Sequence, residues 1–594
     1  STRFHIGGFL RTGEGARDTG YTANKGGQIK ANLTKEFDDG YVRLYFKHLD
    51  DKTVGYLPMP MYADGDSLPG FDSQEDTPHS AYLLSTLRLD GDGNISRGDV
   101  RDGMNPVVNS IGFEAYFELG NNWSVENRLR KSDVSGNYNS LFPASVEDSG
   151  AIATSIGGDG ASLVYANGPD AGAGFSGDMA MRIHTFDVEI EDLGSIVNDL
   201  KLTKELDFAT VTFGYYKSTQ NIAMSWMWNS YLMEVKGDNA ALLDVVGSDG
   251  TMYSDNGLYA YGVPYWGNCC QRAYDAEYDI DAPYINISAD FDDLTIDASF
   301  RHDSGEATGY YASTVQSEVD MNRDGVISIP EQSVSSADVA NASPINYDWS
   351  YNSYTLGANY FLDDNLAVFA NFSHGGRANA DRLMYGKINA DGSVAKQDAV
   401  DEVDQYEVGV KYRKDKFSLF ATAFFAETEE QNFEATSQKF FDRVYEAKGI
   451  ELESAYYFGN FDVRGSITWT DAEITEDAIN PDVVGNTPRR QADFIYSLIG
   501  RYNFNNGSAG LSLIGTTDAY AQDNNDLEFD GYTQVNGFVS YMMTENMSVS
   551  LNVNNLFDTN GITEAEEGSV PDNGIIRART INGRTTSLAL KYEF

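Results

Sequence analysis

One pattern recurs along the chain: segments of about ten residues in which apolar and polar side chains alternate. Near the carboxyl end Met547, Val549, Leu551 and Val553 alternate with Ser548, Ser550, Asn552 and Asn554. Leu588, Leu590, Tyr592 and the final Phe594 repeat the alternation. Other clear examples are Val42/Leu44/Phe46, Ile285/Ile287/Ala289/Phe291, Leu294/Ile296/Ala298/Phe300, Leu366/Val368/Ala370/Phe372, Tyr406/Val408/Val410/Tyr412 and Phe461/Val463/Ile467/Trp469. A period of two places alternate side chains on opposite faces of an extended strand, so each segment predicts a strand lying between an apolar phase and water.

The strands come in pairs. Short polar turns join them at Asp38-Asp39-Gly40, Gly120-Asn121-Asn122, Leu206-Asp207-Phe208, Asp292-Asp293, Asp363-Asp364-Asn365, Lys414-Asp415-Lys416, Gly459-Asn460, Asn505-Asn506-Gly507-Ser508 and Thr544-Glu545-Asn546. Most are residues that tolerate tight hairpins. Between the pairs lie longer connections, near 52–108, 134–196, 219–282, 305–349, 377–403, 474–490 and 558–580, with smaller ones at 12–26, 431–442 and 521–528. Short turns at one end and long loops at the other predict an all-β, transmembrane antiparallel barrel with short periplasmic turns and long extracellular loops. Nine turns and ten loops imply about twenty strands. A barrel that wide is not filled by its own wall, so it holds a channel or a plug.

Composition agrees and narrows the function. No apolar run approaches the roughly 20 residues of a membrane helix, so any span is made of strands. Aromatic residues reach 13%, mostly as 37 Tyr and 32 Phe. The formal charge is −48, from 42 basic and 90 acidic side chains, which argues against nucleic acid and against broad attraction of anionic substrates. Paired carboxylates occur everywhere in such a chain and carry no catalytic information. No HExxH, no Gly-rich phosphate loop and no cysteine metal knuckle is present, and no enzyme is expected.

Three motifs resemble the barrel portion of TonB-dependent outer-membrane receptors: Ala447-Lys448-Gly449-Ile450-Glu451-Leu452-Glu453, Asn555-Leu556-Phe557-Asp558, and the closing Ser587-Leu588-Ala589-Leu590-Lys591-Tyr592-Glu593-Phe594. The stretches Gly26–Thr34 and Asp51–Pro60 further resemble a branch linked to sugar uptake. The resemblance covers essentially residues 1–594 as one barrel domain. It implies a 22-stranded barrel of the Gram-negative outer membrane, embedded in its lipid, with a plug moved by the inner-membrane TonB complex. Against that pattern the chain begins at what resembles the third strand, so the plug and the first hairpin are expected to lie outside it. A capping surface lipoprotein, as in some sugar-uptake relatives, is a further implied partner.

Three candidate sites follow from local composition. Asp320, Asn322, Asp324, Val326, Ser328 and Glu331 match a twelve-residue calcium loop, with Gly325 at the sharp turn, and predict a structural Ca²⁺ that stiffens an extracellular loop. Asp90, Asp92 and Asp99 fit the same frame less completely, with Arg88 where the first carboxylate belongs. Trp226, Trp228, Tyr231, Tyr265, Trp266 and Arg272 give one long loop a surplus of flat side chains and a guanidinium, which suits stacking on sugar rings and bonding hydroxyls. Beside them Cys269 and Cys270, the only cysteines, form either a vicinal disulfide or two free thiols. The expected function is active import of a nutrient, an oligosaccharide by preference. The alternatives are a ferric siderophore or other metal chelate, to which −48 is adverse unless the pocket is locally basic, and a surface adhesion or structural barrel.

Overall fold

The computed structural model describes residues 1–380, 386–434 and 439–593. Phe594 lies outside the described residues, as do parts of the 377–403 and 431–442 connections. The dominant element is an antiparallel sheet of 22 strands. Two of these, Met179–Asp192 and Ser195–Glu205, form one interrupted wall strand, because both pair with Trp123–Asp148 on one side and Ala209–Glu234 on the other. The three-residue strand Leu258–Ala260 is an appendage of the sheet, leaving twenty strands across the wall.

In chain order the first wall strands are β1 (Thr2–Gly13), β2 (Asn24–Glu36), β3 (Gly40–Lys52), β4 (Met104–Gly120), β5 (Trp123–Asp148), β6 (Met179–Asp192, resuming at Ser195–Glu205), β7 (Ala209–Glu234) and β8 (Arg272–Phe291). Each pairs with its neighbours in sequence, and twelve more follow between Leu294 and Tyr592 in the same up-and-down order. Among the described residues β1 pairs only with β2, and Thr585–Tyr592 only with Met547–Asn554.

The alternation fixes which side of the wall each residue faces. Leu44 and Phe46 on β3, Phe213 and Tyr215 on β7, and Ile287 and Phe291 on β8 are large and exposed, as lipid-facing residues are. The residues between them therefore face the lumen, among them Arg43, Tyr45 and Lys47 of β3. Near the short turns, rings gather into the belt that marks a membrane interface: Phe461 lies 5.3 Å from Phe458 and 4.7 Å from Tyr502, and Phe208 lies 6.0 Å from Phe291.

All nine short turns join consecutive wall strands at the expected places. Asn121, Asn122, Asp292 and Asp415 adopt positive φ there, a conformation that Asn and Asp tolerate better than most residues. Several long connections are shorter than the sequence pattern indicates, while those near 558–580 and 521–528 are longer and run over 555–584 and 517–531. β5 runs on to Asp148, β6 starts at Met179, β7 extends to Glu234 and β8 begins at Arg272. Above the lipid no apolar phase enforces alternation, yet backbone groups still pair, so the ladder continues where the sequence pattern fades.

Loops then pack on both sides of this raised ribbon. On its outer face the hairpin Ser85–Leu89/Ile95–Asp99 is fastened to β6: Asp187 accepts from the Thr86 hydroxyl (2.6 Å) and from Arg88 (2.9 Å). Over the lumen, Met59–Tyr62, Ile575–Thr580 and Ile562–Ala565 form a small three-stranded sheet that joins loops distant in sequence.

The face assignment makes a direct prediction. Leu356, 57% exposed on the lipid side of Ser343–Asp363, is expected to tolerate Arg poorly. Leu356→Arg should cost about 2–4 kcal/mol in unfolding from lipid vesicles, whereas the lumen-facing Thr355→Arg should be close to neutral. Equal costs at the two positions would contradict the assignment.

Candidate functional site

Counting up β7 from the lipid-facing Phe213 and Tyr215, its even residues face the lumen throughout, because its pairing with β8 runs without a register shift from Ala209 to Trp226. Trp226 and Trp228 therefore point inward. Register brings Val188 and Phe186 of β6 opposite them, and Tyr138 and Ser140 of β5 opposite those in turn. One step higher His184 stands between Ser230 and Phe142.

These positions build a continuous aromatic layer at the extracellular end of the lumen. Phe186 lies 4.1 Å from Trp228, 5.7 Å from Trp226 and 5.7 Å from Tyr138. Trp266, from the short turn Pro264–Trp266, closes the layer against Trp228 (5.4 Å), Phe142 (5.5 Å) and His184 (4.3 Å). His184 is fully buried and neither ring nitrogen has a hydrogen-bond partner. Burial, reinforced by Arg182 and Arg577, holds its pKa well below the ordinary range, so the ring is neutral.

Arginines surround the rings. Arg272 lies 4.1 Å over Trp226, Arg182 4.9 Å over Tyr265 and Arg577 5.3 Å over Phe142, each a cation on an aromatic face. Arg577 is held by Glu567 (2.6 Å) and the Ala144 carbonyl (3.2 Å), and Arg579 by Glu564 (2.8 Å) and the Tyr56 carbonyl (2.6 Å). Beside the layer a cavity of about 540 Å³ is lined by Arg17, Tyr56, Met104, Tyr138 and Arg579. Arg17 is buried against the Tyr56 ring at 5.1 Å. The arrangement can grip a flat or anionic group from several sides, since guanidinium forks suit carboxylate-like oxygens and rings suit planar faces.

Cys269 and Cys270 are joined by a disulfide, and Cys270 takes φ 82°. The Cys270 carbonyl accepts from the Trp228 indole N–H (3.3 Å) and from Arg272 (3.1 Å), so this turn ties the deepest ring to the nearest cation.

The structure divides the six residues expected to contact cargo. Trp226, Trp228, Trp266 and Arg272 share the layer, and Tyr265 lies beside it, 48% exposed. Tyr231 does not join them. Strand parity turns it to the outer face, where it is buried with Leu141, Ile183, Met233 and Leu258 as part of the loop core. Trp228, 1% exposed, is packed within the layer, between Phe186 and Trp266. Local composition missed Tyr138, Phe142, Phe186, Arg182 and Arg577, since the register of β5 to β7 and the sheet at Ile575–Thr580 bring them in from far along the chain.

The acidic loops adopt specific forms. In the Asp320–Glu331 segment Gly325 takes φ 85°. Asp320 accepts from the N–H groups of Asp324 and Gly325, Asp324 from that of Val326, and the buried Glu331 from Met321, Asn322 and both donors of Ser328. Burial alone would raise the Glu331 pKa, but these hydrogen bonds outweigh it and lower it. No three acidic or histidine side chains gather as a metal-holding group among the described residues. The second frame is corrected: Asp90 caps the tip of a hairpin, accepting from Asp92 and Asn94, while Asp99 sits at its far end paired with Arg101. Asp90, Asp92 and Asp99 cannot meet on one ion in this arrangement, because an extended strand separates the first from the last.

The comparisons place this architecture. The family model described as TonB dependent receptor-like, beta-barrel matches residues 61–556. The pesticin receptor of Yersinia pestis is 23% identical over 212 residues, which is 34% of this chain and only 31% of that receptor's length. Among solved structures, the siderophore receptor PiuA from Acinetobacter baumannii superimposes with a TM-score of 0.62 at 13% identity, covering 100% of this chain and 78% of that one. The ferric-catecholate import receptor Fiu from E. coli K12 gives 0.62 at 15%, with coverage of 100% and 78%. BauA, the ferric preacinetobactin receptor of A. baumannii, gives 0.61 at 12%, covering 100% and 75%. At these identities the likeness is one of fold.

The layer's division of labour is testable by hydrogen exchange. Trp228→Ala should lower the opening free energy of the upper β7 amides by about 3–5 kcal/mol, the range for truncating a buried large ring. Tyr265→Ala should change it by less than about 1 kcal/mol. Equal effects would show that Tyr265 also serves as packing.

Proposed function

The chain belongs to the TonB-dependent receptor β-barrel family, outer-membrane proteins of Gram-negative bacteria, and from that premise we propose that it imports an anionic ferric chelate of the siderophore type. The observation that carries this reading is the set of arginines around the aromatic layer. In a chain of net charge −48, Arg17, Arg182, Arg272, Arg577 and Arg579 collect at the extracellular end of the lumen. Arg577, Arg579 and Arg182 each pair with a carboxylate, Glu567, Glu564 and Glu147, so the cluster offers directed guanidinium donors more than net positive charge, and such donors are what an anionic complex needs at a concave site. Two of the structural neighbours, a siderophore receptor and a ferric-catecholate import receptor, support the same choice.

An oligosaccharide, the cargo first suggested by the aromatic composition, has weaker support. Two of the flat residues that suggested it, Trp228 and Tyr231, are buried in the wall and loop core. Energy for import comes, on this reading, from the inner-membrane TonB complex acting through a plug. The Asp320–Glu331 loop enters as a Ca²⁺-responsive brace: an ion there competes with backbone N–H groups for Asp320, Asp324 and Glu331.

Two measurements test these proposals. In calorimetry on the full receptor in detergent, ferric tris-catecholate should bind saturably and maltoheptaose should not, and Arg577→Gln should weaken the chelate about tenfold or more. Saturable sugar binding without a chelate response would reverse the cargo assignment. Separately, Ca²⁺ should raise the melting temperature by about 2–4 °C, and Glu331→Gln should abolish the shift. An unchanged melting temperature in the native receptor would remove calcium from the account.

A further inference from the structure

The turn that carries Trp266 into the aromatic layer ends in an unusual backbone conformation. Gly267, Asn268 and Cys270 all take positive φ, at 69°, 55° and 82°. Glycine adopts that region freely and Asn tolerates it, but cysteine shares neither property. Among the described residues every other non-glycine residue with positive φ is Asn or Asp, save Arg323 and Arg490. At Cys270 the cause is covalent: the disulfide to Cys269 closes a small ring through the peptide bond between them, which restricts the backbone on both sides of that bond.

What the ring holds in place is the outer site. The Cys270 carbonyl accepts from both Trp228 and Arg272. Gln271 adds a second tie: its side-chain amide donates to the Trp228 carbonyl (3.0 Å), and its own carbonyl accepts from the Thr314 hydroxyl (2.8 Å). β8 starts at the next residue, where Arg272 pairs with Trp226. On the other side of the disulfide, Trp266 packs 4.3 Å from the fully buried His184. With the S–S bond broken, Cys270 is free to return to the ordinary region of negative φ, and its carbonyl turns with it. The buried Trp228 N–H then loses its acceptor, a state that packed interiors avoid. Both cysteines are partly exposed, so a small reductant reaches them, and they are the only two in the chain.

We infer that Cys269 and Cys270 form a redox switch on the outer site: closed, the disulfide holds Trp228, Arg272 and Trp266 in the arrangement that grips the chelate, and opened, it lets that arrangement loosen. The inference rests on the anionic-cargo reading above. Opening is a two-electron reduction by a small dithiol. One dithiol sulfur attacks the disulfide and forms a mixed disulfide, releasing one cysteine. The second dithiol sulfur then closes on the first and releases the other. The dithiol ends as a cyclic disulfide, and its two protons and two electrons end on the Cys269 and Cys270 thiols. Affinity at the outer site thereby follows the redox state of the surroundings.

Calorimetry on the full receptor in detergent tests this, with gallium(III) tris-catecholate as the probe because dithiothreitol would reduce the ferric ion itself. The receptor is titrated oxidised, again after dithiothreitol treatment and its removal under argon, and once more after reoxidation. Reduction should weaken binding by about tenfold or more, and reoxidation should restore it. Cys269→Ser with Cys270→Ser should bind at the reduced level and ignore the reductant, with heat-modifiable migration on gels verifying the fold. A readout independent of cargo is the reaction of His184 with diethyl pyrocarbonate, followed by mass spectrometry, which should run at least about tenfold faster after reduction. Equal affinity in the two forms overturns the switch and leaves the cargo reading standing. No binding in either form overturns the cargo reading, and the His184 rate then decides the switch: a rate that follows the redox state keeps it, and a constant rate overturns it.

Discussion

Everything in this molecule depends on one constraint: in lipid, each backbone N–H and C=O must find its partner within the protein. The antiparallel ladder meets it, and the ladder in turn dictates the period-two alternation, the tight turns at one end and the parity that sorts side chains to lipid or lumen. The same parity carries the functional argument. Because pairing along β7 and β8 is uninterrupted from the membrane upward, the side of the wall on which Phe213 sits determines the side on which Trp226 and Trp228 sit. A single extra residue between them would exchange the aromatic layer for the buried outer face that holds Tyr231.

How legible this was in the sequence follows from the same physics. The lipid enforces alternation, so the membrane part of each strand and all nine turns could be read directly, as Ile285 to Phe291 followed by Asp292-Asp293 illustrates. Above the lipid, pairing persists without an apolar phase to pattern it, which is why β7 and β8 extend far into what reads as loop. The site suffered most. Trp226, Trp228 and Trp266 stood out because they cluster in sequence, but Phe142, Phe186 and Arg577 become their neighbours only through register and through a loop sheet closed by residues from both ends of the chain. Asp90 and Asp99 failed in the opposite way, close in sequence yet held apart by the hairpin between them.

Charge distribution is the second theme. The net −48 describes the whole chain and says little about its interior, where Arg182, Arg272 and Arg577 lie on aromatic faces. The outer layer combines stacking surface with guanidinium donors, a pairing suited to planar anionic ligands. Arg577 and its neighbour Arg579 are held by Glu567 and Glu564, which fixes their orientation.

The most direct test of this account is uptake by living cells. Bacteria that carry the receptor as their only importer of its class would be given radiolabelled iron as an anionic catecholate complex, and in parallel a radiolabelled neutral oligosaccharide. The account predicts receptor-dependent iron accumulation that stops when the TonB complex is deleted, with no sugar accumulation. Energised accumulation of the sugar, with iron uptake indifferent to the receptor, would contradict it.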